Sequence, residues 1–339
     1  MGCRAAPKHS PLPIFEGPMS IPPHSLACYD TQCNEKKTLS PGPGPTTRNK
    51  DLMDFAFCTA PHRIASSMCH PMAWEALRQG HRVHAINTSY DADSRRWIPS
   101  MENTGEEPPA DPFLYGHTGL ALCSRDNPEM GWHSDWDAAQ YDRELWIEKM
   151  GEAMWNHEAR IITLSEALAE WTSGAMHICP SGADSGPKAF KGICCDRSEL
   201  GFELPRASRG NALRDDMRVA LSRPDAPDAE YRCVFIDGEL VASGRYLLDG
   251  SLQETQGSPP SVDAFAKEAA AIWLPGSYCV LDVGVKGSRQ GIIEYNSLIS
   301  SGLYQISRTA VVSAIANSWP HRQKPTMASS PRKRPASGL

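Results

Sequence analysis

Two acids and an amide near the C-terminal end stand out by type and spacing. Asp282 interrupts an apolar run, YCVLDVGV; Glu294 follows twelve residues later, and Asn296 lies two beyond it. Side chains alternate along a strand, so Glu294 and Asn296 share one face. A hairpin turning at Lys286-Gly287-Ser288 brings Asp282 opposite them. Carboxylates and amide carbonyls are hard oxygen donors of the kind magnesium uses when it bridges substrate phosphates. The chemistry open to this set is therefore a metal-phosphate site. On spacing alone, a solvated strand face remains the alternative.

Several elements must form to hold these residues. Tyr278–Val285 and Gly291–Tyr295 read as antiparallel strands. Asp237-Gly238 between Tyr231–Ile236 and Glu239–Ser243 is a strong hairpin signal. Ser261–Ile272 and Ser307–Asn317 read as helices. The C-terminal half is thus α+β with an antiparallel sheet. Upstream, Met72–Gly80 reads as a helix closing on glycine, and Arg82–Asn87 alternates like a strand, an α/β beginning. Residues 100–130, rich in Pro, Gly and acids, read as a long surface loop. Helical spacing returns over Ala138–Trp155. Thr163 and Glu166 form a capping-box pattern that starts a helix running to Trp171.

Composition narrows the classes. The chain has 339 residues, 40% apolar and 22% charged, which suits a globular protein with a sizeable core. A net charge of −6 argues against an electrostatic grip on nucleic acid or an anionic membrane. No apolar run reaches the length of a membrane span. No apolar stretch follows the N-terminus, so no secretory signal is expected. The eleven cysteines follow no disulfide or zinc spacing and read as reduced thiols of a cytoplasmic protein. Residues 1–50 carry nine of the 28 prolines without periodicity and are expected to be disordered. The same holds for 319–339, a tail with five basic residues and no acid. The folded chain between them is expected to divide into 51–135 and 136–318.

Asp-x11-Glu-x-Asn on the last two strands resembles the metal-binding motif of the ATP-grasp superfamily. Four blocks in order resemble a branch of small ATP-grasp domain ligases: Trp136–Trp171 with GEAMWNHEARIITLSEAL, then PSGADSGPKAFKG (180–192), VALSRPDAPDAEYRCVFIDGELVASGRY (219–246), and the metal block ending in SSGLY. The resemblance implies an ATP-grasp fold: two α+β subdomains with antiparallel sheets gripping ATP, preceded by a small α/β region. It implies that Asp282, Glu294 and Asn296 hold Mg2+ against the ATP phosphates. Lys188, among Gly182, Gly186 and Gly192, would approach those phosphates. Val219, Leu221 and Ser222 would form an edge for adenine. Glu230 and Arg232 match a Glu-x-Arg landmark, with Arg232, and more weakly Arg245, reaching phosphate or a substrate carboxylate. Ser300 and Ser301 would lie near phosphate or acceptor. The implied reaction is ATP-dependent amide formation through an acylphosphate, on a small-molecule or peptide substrate with a carboxylate and an amine acceptor; a non-catalytic nucleotide-binding or interaction protein of the same fold, and a phosphotransferase, are the alternatives. One departure concerns the residue before Pro180: the branch has a basic residue there, and this chain has Cys179. Lys191, where the branch has a small polar residue, is a candidate substitute for that charge, the alternative being altered affinity or a decayed site.

Overall fold

The computed structural model describes residues 52–58, 65–91, 93–101, 109–116, 118–182, 189–208 and 213–319. The proline-rich first 50 residues, Gly186, Lys188 and the basic tail lie outside the described residues.

The first sheet is formed by β1 (Asp54–Cys58), β2 (Arg82–Asp91), β3 (Arg96–Met101) and β4 (Phe113–Tyr115), in the order β3-β2-β1-β4. β1 pairs in parallel with β2 and β4, and α1 (Ala65–Arg78) provides the crossover. This is the expected α/β beginning. The long surface loop expected over 100–130 is corrected. It contains β4, all three residues of which are buried, and α2 (Thr118–Asp126), which buries Leu120, Ala121 and Cys123. A strand that short has no visible period, and Gly119 masks the apolar face of the helix.

A second sheet holds β5 (Arg160–Thr163), β6 (Ala175–Pro180), β7 (Ile193–Asp196) and β8 (Arg218–Ser222), antiparallel in the order β5-β8-β6-β7. Helices α4 (Leu164–Glu170) and α5 (Leu200–Ser208) pack on it around Ile178, Val219 and Leu221. The capping box at the start of α4 forms as expected: the Thr163 side chain accepts from the Glu166 amide, and Glu166 accepts from the Thr163 amide. The helical stretch 138–155 is corrected. Asp142 interrupts it, capping the N-terminus of α3 (Arg143–Met150), with 3-10 turns on either side.

The third sheet has five strands in the order β11-β10-β9-β12-β13. They are β9 (Ala229–Ile236), β10 (Glu239–Leu248), β11 (Ser251–Gln256), β12 (Tyr278–Lys286) and β13 (Arg289–Ser297). One face, through Cys233, Phe235, Leu281 and Tyr295, packs on α3 and α6 (Pro260–Ile272). The other, through Val234, Ile236, Tyr278 and Val280, packs on β1, β4, α1 and α7 (Arg308–Ser318). The chain joining the second sheet to the third is strapped to the β12–β13 turn. Asp225 accepts from Lys286 Nζ at 2.8 Å and from Arg289, and its backbone oxygen accepts from Trp155 Nε1. The Trp155 ring lies against Gly284 and Gly291, where an added Cβ would come within 3.1 Å of it.

Candidate active site

Along β9 and β12, the face that packs on α7 changes from apolar to charged within two residues. Val234 and Val280 are paired in register and buried; the next residues on that face, Arg232 and Asp282, are also paired, and so are Glu230 and Gly284. On β13, Asn296 stands opposite Val280 and Glu294 opposite Asp282. The sequence spacing and the strand register therefore bring Asp282, Glu294 and Asn296 together. Asn296 Nδ2 lies 2.8 Å from Glu294 Oε1 and 3.4 Å from Asp282 Oδ2.

Two irregularities tune this face. A bulge at Ile293, between the Asp282–Glu294 and Val283–Ile292 pairs, changes the side-chain parity of β13. Ile292 and Tyr295 stay in the core on the far face, while Glu294 and Asn296 turn towards Asp282. A second bulge, between Arg245 and Leu247 on β10, brings Tyr246 to the same face as Arg232. The Tyr246 hydroxyl donates to Glu230, and its ring centroid lies 5.2 Å from the Arg232 guanidinium.

Arg232 is held from several sides. Its Nε donates to Asp282 Oδ1 at 2.9 Å, Nη2 to Asp282 Oδ2 at 2.6 Å, and Nη1 to Gly302 O at 2.7 Å. Tyr304 stacks on Tyr246 and lies 5.0 Å from the same guanidinium. Burial works against the Arg232 charge, but the Asp282 carboxylate outweighs it and holds the guanidinium above its ordinary value. Burial raises the Asp282 carboxyl; Arg232 opposes this, and Glu294 adds to it. Burial also raises Glu230, against its bond from Tyr246 and with the charges of Asp282 and Glu294. Three carboxylates thus face one guanidinium. This excess of negative charge on oxygen donors suits a hard divalent cation. Among the described residues no group of three or more His, Cys, Asp or Glu is arranged to hold a metal ion. The set here is two carboxylates and an amide.

The opposing wall belongs to the second sheet. Cys179 pairs with Ala220 and His177 with Ser222, and both look away from the core formed by Ile178, Val219 and Leu221. Gly192 permits close approach, since a Cβ there would meet Cys179 Cβ at 3.1 Å and His177 Nε2 at 3.2 Å. Burial pushes the Cys179 thiol up; Arg143 pulls it down, and Glu294 pushes it further up. Burial first, then the Arg143 charge, brings His177 down to about 4.

Arg143, which the sequence reading passed over, spans the two walls. Asp142 beside it accepts from Ser181 Oγ and Gly182 N, both at 3.1 Å, at the start of the glycine-containing block. Arg143 Nη1 donates to Ile293 O, the bulged residue next to Glu294, at 3.2 Å. Its guanidinium lies 5.4 Å from the Trp146 ring centroid, and its Nε is buried without a hydrogen-bond partner. The only sequence signal was an arginine directly after a helix cap.

Other expected residues fall elsewhere. Lys188 lies outside the described residues. Lys191 is exposed, with its backbone amide bonded to Ala207 O. The edge expected at Val219–Ser222 is corrected: β8 is an interior strand, paired with β5 through Leu221 and with β6 through Ser222. The Val219 and Leu221 side chains are core. Only from Ser222 onward is one side of β8 unpaired. Arg245 is opposite Tyr231, on the face away from Arg232, and its Nε points to Gln253 O at 3.5 Å. The structure does not bring it to the cluster. Ser301 is buried with its hydroxyl committed to Ser297 O, and its carbonyl accepts from Tyr115.

Two antiparallel sheets facing each other across this polar cleft, with acids on the last two strands, define an ATP-grasp fold. A family model described as an ATP-grasp domain, family 3 of its clade, matches residues 78–315, and the chain belongs to that family. Among solved structures the chain is similar to the D-cycloserine synthetase DcsG, with 14% identity, 78% of this chain and 99% of that chain covered, and a TM-score of 0.52. It is also similar to D-alanine–D-alanine ligase from Bacillus anthracis, with 13% identity, 79% and 97% covered, and a TM-score of 0.52. A RimK domain ATP-grasp protein from Sphaerobacter thermophilus gives 12%, 78% and 98%, and 0.51. These likenesses concern the fold. No curated protein matches the chain. Among the described residues no helix is long and apolar enough to cross a membrane.

Proposed function

We propose that the protein is an ATP-dependent, Mg2+-requiring ligase that joins a carboxylate to an amine through an acylphosphate. The observation that carries this reading is the convergence of Asp282, Glu294 and Asn296 on one sheet face, in a chain of the ATP-grasp family. The solved structures with this fold include a D-cycloserine synthetase and a D-alanine–D-alanine ligase, which is in keeping with it. In this reading Asp282, Glu294 and Asn296 would hold the cation, which would supply positive charge to offset that of the phosphates. Arg143 takes a phosphate oxygen from the opposite wall, and Lys188 and Lys191 add positive charge for the phosphates. Adenine pairs with the backbone from Ser222 onward, where β8 has a free side. Arg232, steadied by Tyr246 and Tyr304, orients Asp282 and offers charge to the acylphosphate as it forms. Glu230 holds Tyr246 in place. The protein positions reactants and neutralises charge, and no covalent enzyme intermediate is required. The substrate region draws on residues 51–135 and the grasp on 136–318.

ADP release with Mg2+ and a pool of carboxylates and amines tests this. Stimulation by a carboxylate–amine pair, lost in Asp282→Asn and Glu294→Gln, is expected; release indifferent to both substitutions would overturn it. The Arg232–Asp282 ion pair favours one second reading, a nucleotide-binding protein without turnover, because it engages a metal ligand. That reading predicts ATP binding with no ADP release from any pool.

A further inference from the structure

An open cleft of about 500 Å³ lies beside the Arg232 end of the site, between α1, the end of β11 and the segment entering α7. Its volume is in the range of small-ligand sites. Trp74 lines it and is 62% exposed, an aromatic face with a large apolar area. Gln256 and Gln305 line it with side-chain amides, each able to donate and accept, as a peptide backbone requires. Two guanidiniums are present. Arg78 is already committed to Glu75, at 2.6 and 2.9 Å. Among the described residues Arg308 makes one hydrogen bond, from Nη2 to Tyr304 O at 2.5 Å. A planar guanidinium with donors to spare is a receptor for carboxylate.

The cleft is coupled to the charged cluster by a single stretch of chain. Gly302 O and the Tyr304 ring contact Arg232, while Gln305, Ser307 and Arg308 line the cleft. Ile306, on its floor, approaches Gly244, the register partner of Arg232, so closely that a Cβ there would lie 3.1 Å away. A peptide lying in the cleft would follow this stretch of chain towards the Asp282–Glu294 site. The sheet edge points to the same class of ligand. At the other edge, β13 is covered by the Met154–Ile292 bridge and the Trp155 amide. Among the described residues no strand pairs with the outer side of β11, which ends at the cleft on Gln256. Open edges accept extended peptides.

We propose that this cleft binds a peptide substrate, with an aromatic or apolar side chain on Trp74 and a carboxylate at Arg308, while the reacting end of the peptide reaches the Asp282–Glu294 site. The inference rests on the ligase reading for the role of the peptide, but binding is testable without turnover. The full-length protein is equilibrated with an equimolar random pentapeptide pool, and retained peptides are identified by mass spectrometry after rapid filtration. Retention of peptides rich in aromatic residues and carrying a free carboxylate, reduced about tenfold in Trp74→Ala and in Arg308→Gln with ATP affinity unchanged, is the expected result. Trp74 is exposed, so its substitution tests the site even where Arg308→Gln disturbs α7. Retention of no peptides, or retention by both variants equal to that of the wild type, overturns the proposal whether or not ATP is turned over. Peptide retention with no ADP release supports the cleft and counts against the ligase reading alone.

Discussion

The third sheet and the second sheet furnish their two sides of the cleft by opposite means. The third sheet carries its own charges: Arg232, Asp282, Glu294 and Glu230 lie on adjacent strands and satisfy one another through register and two bulges. The second sheet presents neutral groups, Cys179, His177 and Ser222, and takes its positive charge from Arg143 on a separate helix. A charge built into a ladder is fixed by the fold and costly to disturb. A charge lent by a helix end can be removed with little effect on the sheet that uses it. The metal end should therefore couple function to stability, and the phosphate end should separate them.

The strongest challenge to this contrast is Asp282→Ala. It should abolish ADP release and leave Arg232 buried without its partner, a loss of about 3–5 kcal/mol in urea unfolding. A loss below about 1 kcal/mol would mean that the buried pair does not anchor the metal end. Next in size, Arg143→Ala should weaken ATP binding roughly 10- to 100-fold by titration calorimetry, the worth of a charge-assisted hydrogen bond, with little change in melting temperature. Adding Cys179→Lys to that variant should restore most of the affinity. Failure to restore would show that Arg143 does more than supply the missing charge.

His177 tests how dry the second wall is. Burial, then Arg143, depresses its folded value from 6.5 to about 4. Below 6.5 the unfolded chain takes up the proton more readily, so the stabilising contribution is present above 6.5 and lost as pH falls towards 4. His177→Gln should therefore flatten the fall in stability across that window by on the order of 2 kcal/mol, read from melts between pH 7 and 4. The smallest effect belongs to Arg245→Ala. On the far face of the sheet, it should change stability by no more than about 0.5 kcal/mol and leave ADP release unaltered.

The same contrast explains what could be read from sequence. Hairpins at Asp237-Gly238 and Lys286-Gly287-Ser288, together with the Asp-x11-Glu-x-Asn spacing, were legible because turn chemistry and period-two alternation are local. The bulges at Ile293 and Tyr246 were not, because an extra residue in a strand leaves no signature until its partner strand is in place. The interior position of β8 was hidden for the same reason, since VALS looks alike at an edge and in the middle of a sheet. Arg143 was illegible because its role depends on Cys179 and Ile293, distant in sequence. Residues 113–126 were obscured by the brevity of β4 and by Gly119 in α2.

The central claim is that Asp282, Glu294 and Asn296 form the cation site for a bound nucleotide. Mn2+, which replaces Mg2+ on oxygen ligands, can be counted directly by electron paramagnetic resonance in the presence of ATP. Nucleotide-dependent binding of Mn2+ to the wild type, weakened at least about tenfold in Glu294→Gln and in Asn296→Ala but unchanged in Arg245→Ala, is the predicted result, a difference of about 1.4 kcal/mol or more. Equal Mn2+ binding in the wild type and in Glu294→Gln would contradict the account.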